Sequence, residues 1–302
     1  MLGVTPFTDV IRFLEEAVER APLPVSSRHL VSLPLRQPGK VLGGAERPTW
    51  PSAVLVSCAA AGGERRIGSK VAAAVEIFMA ALDVLDEIED CDHSPLVEAA
   101  GVAQALNIST LLLMLAQSLL LSLTEDGITS ERTLLFAKTL AEAGLAATGG
   151  QHRDLTIERN MATSYDDALQ IARLKAGVLV ACACTLGALV ATDDPELLSL
   201  YHDWGMHYGT AAQLSNDLHD VADQEDKSDI KRQKGTLPLL YARIDERVAS
   251  GTATEINPTI SGALHFTWVV LEIERQHCAD IADRLAARGQ AAEHLRVLLG
   301  AV

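Results

Sequence analysis

The sequence predicts an all-α fold in a single large domain, and three observations carry that prediction. After Pro51 the chain shows no sustained apolar/polar alternation and none of the β-branched density that a strand requires. Alanine and leucine abound while aromatic residues make up 4%, a composition that favours helix over sheet. At 302 residues, 48% hydrophobic and 22% charged, the chain is long enough to close one sizeable core.

The elements follow in order. Residues 5–20 read as an amphipathic opening helix capped by Thr5 or Thr8. Prolines and glycines between Ala21 and Pro51 break any long helix, so 1–50 is a loop-rich segment packed on the domain 1–302. Helices then cover 51–62, 68–90, 96–123, 129–149, 164–192, 194–224, 236–249, 259–287 and 290–300. They are separated at Gly62-Gly63, Cys91–Pro95, Thr124–Thr129, Gly149-Gly150 and Gln224–Gly235. No 20–50-residue repeat and no low-complexity tract is present.

Two acidic clusters carry the chemistry. From Val71 to Leu82 the third of these helices is apolar on nearly every face, which marks it as buried. Its acidic end, Asp86-Glu87-Ile88-Glu89-Asp90, therefore points into the fold or a cleft. The second cluster is Gln213-Leu214-Ser215-Asn216-Asp217-Leu218-His219-Asp220, followed by Lys227 and by Lys234-Gly235-Thr236-Leu237-Pro238. On a helix Asp86 shares a face with Asp90, as Asn216 and Asp217 do with Asp220. A lone acidic run is most often a solvated helix face. Crowded carboxylates on a buried helix repel unless a proton or divalent cation lies among them. Oxygen-only ligands suit magnesium, which keeps waters and completes its shell with substrate phosphates. The flanking lysines fit the remaining phosphate oxygens. The pattern reads as a magnesium–diphosphate site between two helices.

At these residues the chain resembles the trans-polyprenyl diphosphate synthase family of the isoprenoid synthase superfamily. Asp86 to Asp90 matches the family's first DDxxD with Glu in second place, and Gln213 with Asn216 to Asp220 matches its second with Asn in first place. Gly150-Gln151-His152-Arg153-Asp154-Leu155 resembles its GQ-x-x-DL, and Lys175-Ala176 stands where the family has Lys-Thr. Lys227 to Pro238 resembles its K-x-x-D…K-x-T-L-P tail. The resemblance implies a helical bundle around a central cavity and a transferase that ionises an allylic isoprenoid diphosphate, here C15 or longer because Ala81 leaves room before Asp86. It implies metal ligands Asp86, Glu87, Asp90, Asn216, Asp217 and Asp220, holding three Mg2+ ions with the bound diphosphate. It assigns diphosphate binding to Arg47, Lys175, Gln213, Lys227 and Lys234. Catalysis falls to Asp86, Asp90, Lys175, Asp217 and Lys234, and a homodimer is expected.

The departures concern the second substrate. The family binds isopentenyl diphosphate with a GGK-x-x-RP loop; here Gly43-Gly44-Ala45-Glu46-Arg47-Pro48 is shorter and keeps only Arg47. The site's usual histidine is Met79, and no double arginine follows Asp90. A pyrophosphate needs several cationic donors in water. The resemblance thus implies an allylic diphosphate ioniser more firmly than an ordinary elongator, with either isopentenyl diphosphate or an unusual acceptor. Two rivals remain: a class I terpene synthase, which Asn216-Asp217 suggests but scarce aromatics oppose, and a non-catalytic synthase-like subunit.

A net charge of −15 argues against nucleic acid and anionic membrane surfaces as partners. The apolar stretches 99–123 and 176–192 read as core helices rather than spans. The N-terminus lacks the pattern of a secretory signal. Cys58, Cys91, Cys182, Cys184 and Cys278 read as buried thiols of a reduced, cytoplasmic protein. Trp50, Trp204 and Trp268 read as core anchors, and His152, His202 and His207 as packed or surface residues, while His219, beside Asp217 and Asp220, stays open.

Overall fold

The computed structural model describes residues 7–160, 165–222 and 258–300. The helices are α1 (Thr8–Arg20), α2 (Arg28–Leu35), α3 (Thr49–Ala60), α4 (Arg65–Glu89), α5 (Pro95–Ala100), α6 (Val102–Leu121) and α7 (Ser130–Asn160). They continue with α8 (Tyr165–Ala172), α9 (Val178–Leu189), α10 (Pro195–Ala222), α11 (Pro258–Ala287) and α12 (Glu293–Leu299). A π-helical segment, Arg173–Gly177, joins α8 to α9. Among the described residues there is no strand, and the fold class is all-α as the composition required.

The sequence reading needs several corrections. The proline-rich entry segment holds α2, because Leu30, Val31, Pro34 and Leu35 bury one side of it and Pro34 falls only in its last turn. The helix expected over 96–123 breaks at Gly101, which takes φ 78, a value that side-chain-bearing residues rarely adopt. Conversely α7 runs straight through Gly149-Gly150. The cap of α1 is Phe7 with no side-chain bond, so Thr8 opens the helix without capping it, and Thr5 lies outside the described residues. Trp268 is 55% exposed beside Val269 and Ile273, on the outward side of α11, and is no core anchor. Cys91 is exposed, with φ 54 just past the end of α4, whereas the other four cysteines are buried. Burial pushes the Cys58 thiol up to about 11 and the Cys184 thiol to about 12, so both stay protonated and inert. The helix expected over 236–249 lies outside the described residues.

The chain divides into two compact units. The first takes in Met1–Ala141, Ala183–Tyr201 and Glu293–Leu295. Its axis is α4, against which α1, α2, α3 and α6 all pack. Every residue of α4 from Ile67 to Ala81 is buried, which confirms the reading of a helix enclosed on all faces. Large side chains such as Ile77, Phe78 and Met79 each contribute about 1.5–3 kcal/mol by leaving water. The charges at its N-terminal end are compensated: Asp126 accepts from Arg66 at 2.7 Å and Lys70 at 2.5 Å.

The second unit takes in Glu142–Cys182, His202–Ala292 and Arg296–Val302. Its core gathers Ala168 of α8, Leu214 of α10, and Val270 and Leu271 of α11. Trp204 is fully buried and stacks on Tyr208 at 5.0 Å.

Candidate active site

The first cluster is built by the C-terminal turn of α4. The amide of Asp90 donates to the carbonyl of Asp86 at 2.8 Å, so the i, i+4 pair closes the helix as expected. Asp83, Asp86, Glu87 and Asp90 are all partly buried, and Glu89 is exposed. Burial pushes the Glu87 carboxyl up, against a hydrogen bond from Ser94, and the charges of Asp83 and Asp86 add to the rise. The crowded carboxylates offer hard oxygen donors, and these fit magnesium. Among the described residues no three His, Cys, Asp or Glu side chains already converge as a closed metal cage.

The second cluster rests on α10. Asp217 is buried, and the Gln213 amide donates to its Oδ1 at 2.9 Å. Gln213, which the resemblance assigns to diphosphate, here orients the aspartate one turn away. Asn216 is exposed on the neighbouring face. Asp220 lies on α10, but its side chain, like Lys227 and Lys234 entire, is outside the described residues. Arg47 is exposed at the start of α3.

Lys175 lies in the π-helical segment, a distortion that recurs at functional sites. Its Nζ donates to Asp154 Oδ2 at 2.8 Å, which gives the aspartate of the Gly150–Leu155 motif a partner that the sequence alone did not assign. Two glycines make this possible. A Cβ at Gly150 would stand 2.7 Å from the Leu174 Cβ, so the bare backbone lets α7 close onto the π-segment. A Cβ at Gly209 would stand 2.6 Å from the Ala176 carbonyl oxygen, so α10 closes onto it as well. Gly209, Gln213 and Asp217 recur at i, i+4 and i+8 along one face of α10. The second unit thus holds two oriented pairs, Lys175 with Asp154 and Gln213 with Asp217. Gln151, of the same motif as Asp154, has both its amide oxygen and nitrogen buried with no hydrogen-bond partner among the described residues.

The sequence also missed a buried charge network. Glu274 of α11, 3% exposed, accepts from Arg173 at 3.0 Å and from His207 at 2.5 Å. Burial raises the Glu274 carboxyl, but the His207 and Arg173 hydrogen bonds outweigh it and hold the group below the ordinary range. The His207 ring packs at a tilt against His277, with ring centres 4.7 Å apart. His219 contacts the Ser215 carbonyl at 2.7 Å, a local helix contact that leaves it outside the acidic pair.

The polyprenyl synthetase family profile matches residues 43–256. The chain is 26% identical over 248 residues to the tryptophan prenyltransferase ComQ of Bacillus subtilis, covering 74% of this chain and 78% of that one. Three other curated relatives are matched over 57% to 64% of their length. In structure it is similar to the polyprenyl synthetase of Streptomyces coelicolor, with a TM-score of 0.81, 21% identity and 97% of each chain covered. It is also similar to geranylgeranyl pyrophosphate synthase of Corynebacterium glutamicum, solved with isoprenyl diphosphate and magnesium, with a TM-score of 0.68 and 19% identity over 97% of this chain and 91% of that one. Two helical stretches, Val102–Asp126 and Asp167–Leu189, are long and apolar enough to cross a membrane by composition; 67% of the second is buried within the protein and 33% of the first. On the family profile, the shared fold and the motifs now placed on their helices, the chain belongs to the polyprenyl synthetase family, a family of prenyltransferases.

Proposed function

We propose that this protein is a magnesium-dependent prenyltransferase that ionises an allylic isoprenoid diphosphate of C15 or longer and passes the prenyl group to an acceptor other than isopentenyl diphosphate. The observation that carries the reading is the acidic end of α4: Asp86, Glu87 and Asp90, all partly buried, close an otherwise apolar helix, and burial with the neighbouring charges of Asp83 and Asp86 pushes the Glu87 carboxyl up. Asp86, Glu87 and Asp90 would hold metal there, with Asn216, Asp217 and Asp220 as the second set of ligands. Bound magnesium, three ions in this reading, would stabilise charge developing on the departing pyrophosphate. Lys175, with Arg47, Gln213, Lys227 and Lys234, would bind the phosphate oxygens that the metals leave. The Asp154 pair of Lys175 and the Gln213 hydrogen bond would keep these groups oriented before substrate arrives.

The acceptor follows from what the loop lacks. Isopentenyl diphosphate would meet Ala45 and Glu46 in place of a lysine, Met79 in place of a histidine, and exposed Arg47 alone. Each missing charge-assisted hydrogen bond would cost about 1.5–3 kcal/mol. The relatives named tryptophan prenyltransferase make an indole side chain the first acceptor to try. The protein would act as a cytoplasmic homodimer: Val102, Leu106, Met114 and Leu121 expose an apolar stripe along α6, the kind of patch that marks an interface.

The deciding experiment incubates the protein and magnesium with labelled geranyl, farnesyl and geranylgeranyl diphosphates. Each is offered alone, with isopentenyl diphosphate and with a tryptophan-containing peptide. Label on the peptide supports the proposal. A longer diphosphate would restore chain elongation, a hydrocarbon would make the protein a cyclase, and no pyrophosphate release at all would make it a non-catalytic subunit.

A further inference from the structure

The segment preceding α3 folds back on itself. The amide of Ala45, at the place of the missing loop lysine, donates to the carbonyl of Lys40 at 3.2 Å, and the amide of Gly43 donates to it at 3.0 Å. Lys40 therefore stands directly beside the position where the second diphosphate's lysine is expected. Its side chain is 6% exposed, and its Nζ lies 2.6 Å from Asp83 Oδ2. The next residue is fixed as well: the Val41 amide donates to Glu76 Oε1 at 2.8 Å.

Asp83 and Glu76 flank Met79 on α4, one at i+4 and one at i−3, so all three share the helix face where the second diphosphate's histidine is expected. Glu76 is fully buried, and its Oε2 has no hydrogen-bond partner among the described residues. The one buried cation of this region thus faces two carboxylates rather than solvent. An ordinary surface pair contributes little, but a buried ammonium released from its partner cannot simply be rehydrated.

We propose that Asp83 determines acceptor specificity: by holding Lys40 it removes the cation that a diphosphate-bearing acceptor would need, and so reserves this face of α4 for a nucleophile that carries no phosphate. Glu76 positions Lys40 for that contact by anchoring Val41. The inference rests on the proposed acceptor class, and it locates the choice in one residue three positions before Asp86. The loop need not have lost a lysine for the site to be closed; a lysine is there, held by a carboxylate.

The test is a gain of binding. Isopentenyl diphosphate is titrated calorimetrically, with magnesium, into the parent protein, Asp83→Asn and the double variant Lys40→Met/Asp83→Asn. Thermal melting confirms that each is folded, and Asp83→Leu is the substitute if the asparagine variant melts early. Asp83→Asn should bind at least tenfold more tightly than the parent, and the double variant should return to within twofold of the parent. No gain in Asp83→Asn, or a gain that survives loss of Lys40, would overturn the assignment. Pyrophosphate release from farnesyl diphosphate is measured separately on the parent. Its absence would sink the prenyltransferase reading and leave the Lys40–Asp83 result standing on its own.

Discussion

Replacing Glu274 by leucine probes the buried network that holds the π-helical segment carrying Lys175. The carboxylate is 3% exposed and bridges His207 on α10 and Arg173 on the π-segment. A hydrogen bond to a charged group contributes about 1.5–3 kcal/mol, the range appropriate for His207. The Arg173 side chain is 46% exposed, so its pair is screened and adds only about 0.2–1 kcal/mol. The variant should lose about 2–4 kcal/mol, a fall in Tm of roughly 3–6 °C for a domain of this size. Circular dichroism melts at neutral pH give the number. Acid supplies a second reading. Glu274 is held below its unfolded range, so its contribution is complete above that range and disappears as pH falls through the folded value. The gap between parent and variant should therefore close on acidification. Release of pyrophosphate should slow in parallel, with Glu274→Gln recovering part of it through the remaining hydrogen bond. A neutral-pH difference under about 0.5 kcal/mol, the scatter of ordinary surface substitutions, would refute the network's role, as would a gap that widens in acid.

Asp86→Ala and Asp90→Ala should each abolish magnesium-dependent pyrophosphate release while the helical circular dichroism spectrum stays unchanged; parental rates in either variant would remove the first cluster from the site. Gly209→Ala should destabilise the protein by about 1–3 kcal/mol through overpacking against Ala176, read from urea titration, and a neutral result would mean α10 can move away freely. Ala81→Phe should shift preference to a shorter isoprenoid, scored by competition between geranyl and geranylgeranyl diphosphates; Ala81 is fully buried and its carbonyl accepts from Ser109, so a melting curve is needed alongside. Chelating magnesium should weaken farnesyl diphosphate binding by at least a hundredfold, and binding within tenfold of the magnesium-loaded value would show that lysines suffice.

What could be read from the sequence was whatever is encoded locally. The burial of α4 and the acid at its end are written in consecutive residues, apolar from Val71 to Leu82 and charged from Asp86 to Asp90. The partner of Lys175 was half legible: the motif containing Asp154 stood out, but nothing local says that a residue 21 positions earlier reaches the ammonium. Glu274 gave no signal at all, since Arg173 lies 101 positions away and a lone glutamate in a helix ordinarily faces water. The glycines show why local signals mislead. Gly101 ends a helix because it adopts a positive φ, whereas Gly150 lies mid-helix because its missing side chain admits Leu174. The same residue type serves conformation in one place and close approach in the other, and only the packing tells them apart.

The charges of the described chain show one consistent arrangement. Lys40 is held by Asp83, Lys70 by Asp126 and Lys175 by Asp154, while the acidic end of α4 keeps a surplus of carboxylate. A protein of net charge −15 repels a diphosphate at long range, and its paired lysines can offer only part of their charge at short range. In the proposed reading a divalent cation would reverse the sign of the acidic cluster and make it attractive to a diphosphate. Positioned lysines without metal would hold the substrate loosely; metal without them would hold it in many orientations. In this reading affinity for the allylic diphosphate comes chiefly from magnesium and orientation from the paired lysines, and the identity of the acceptor turns on a carboxylate that keeps one further lysine occupied.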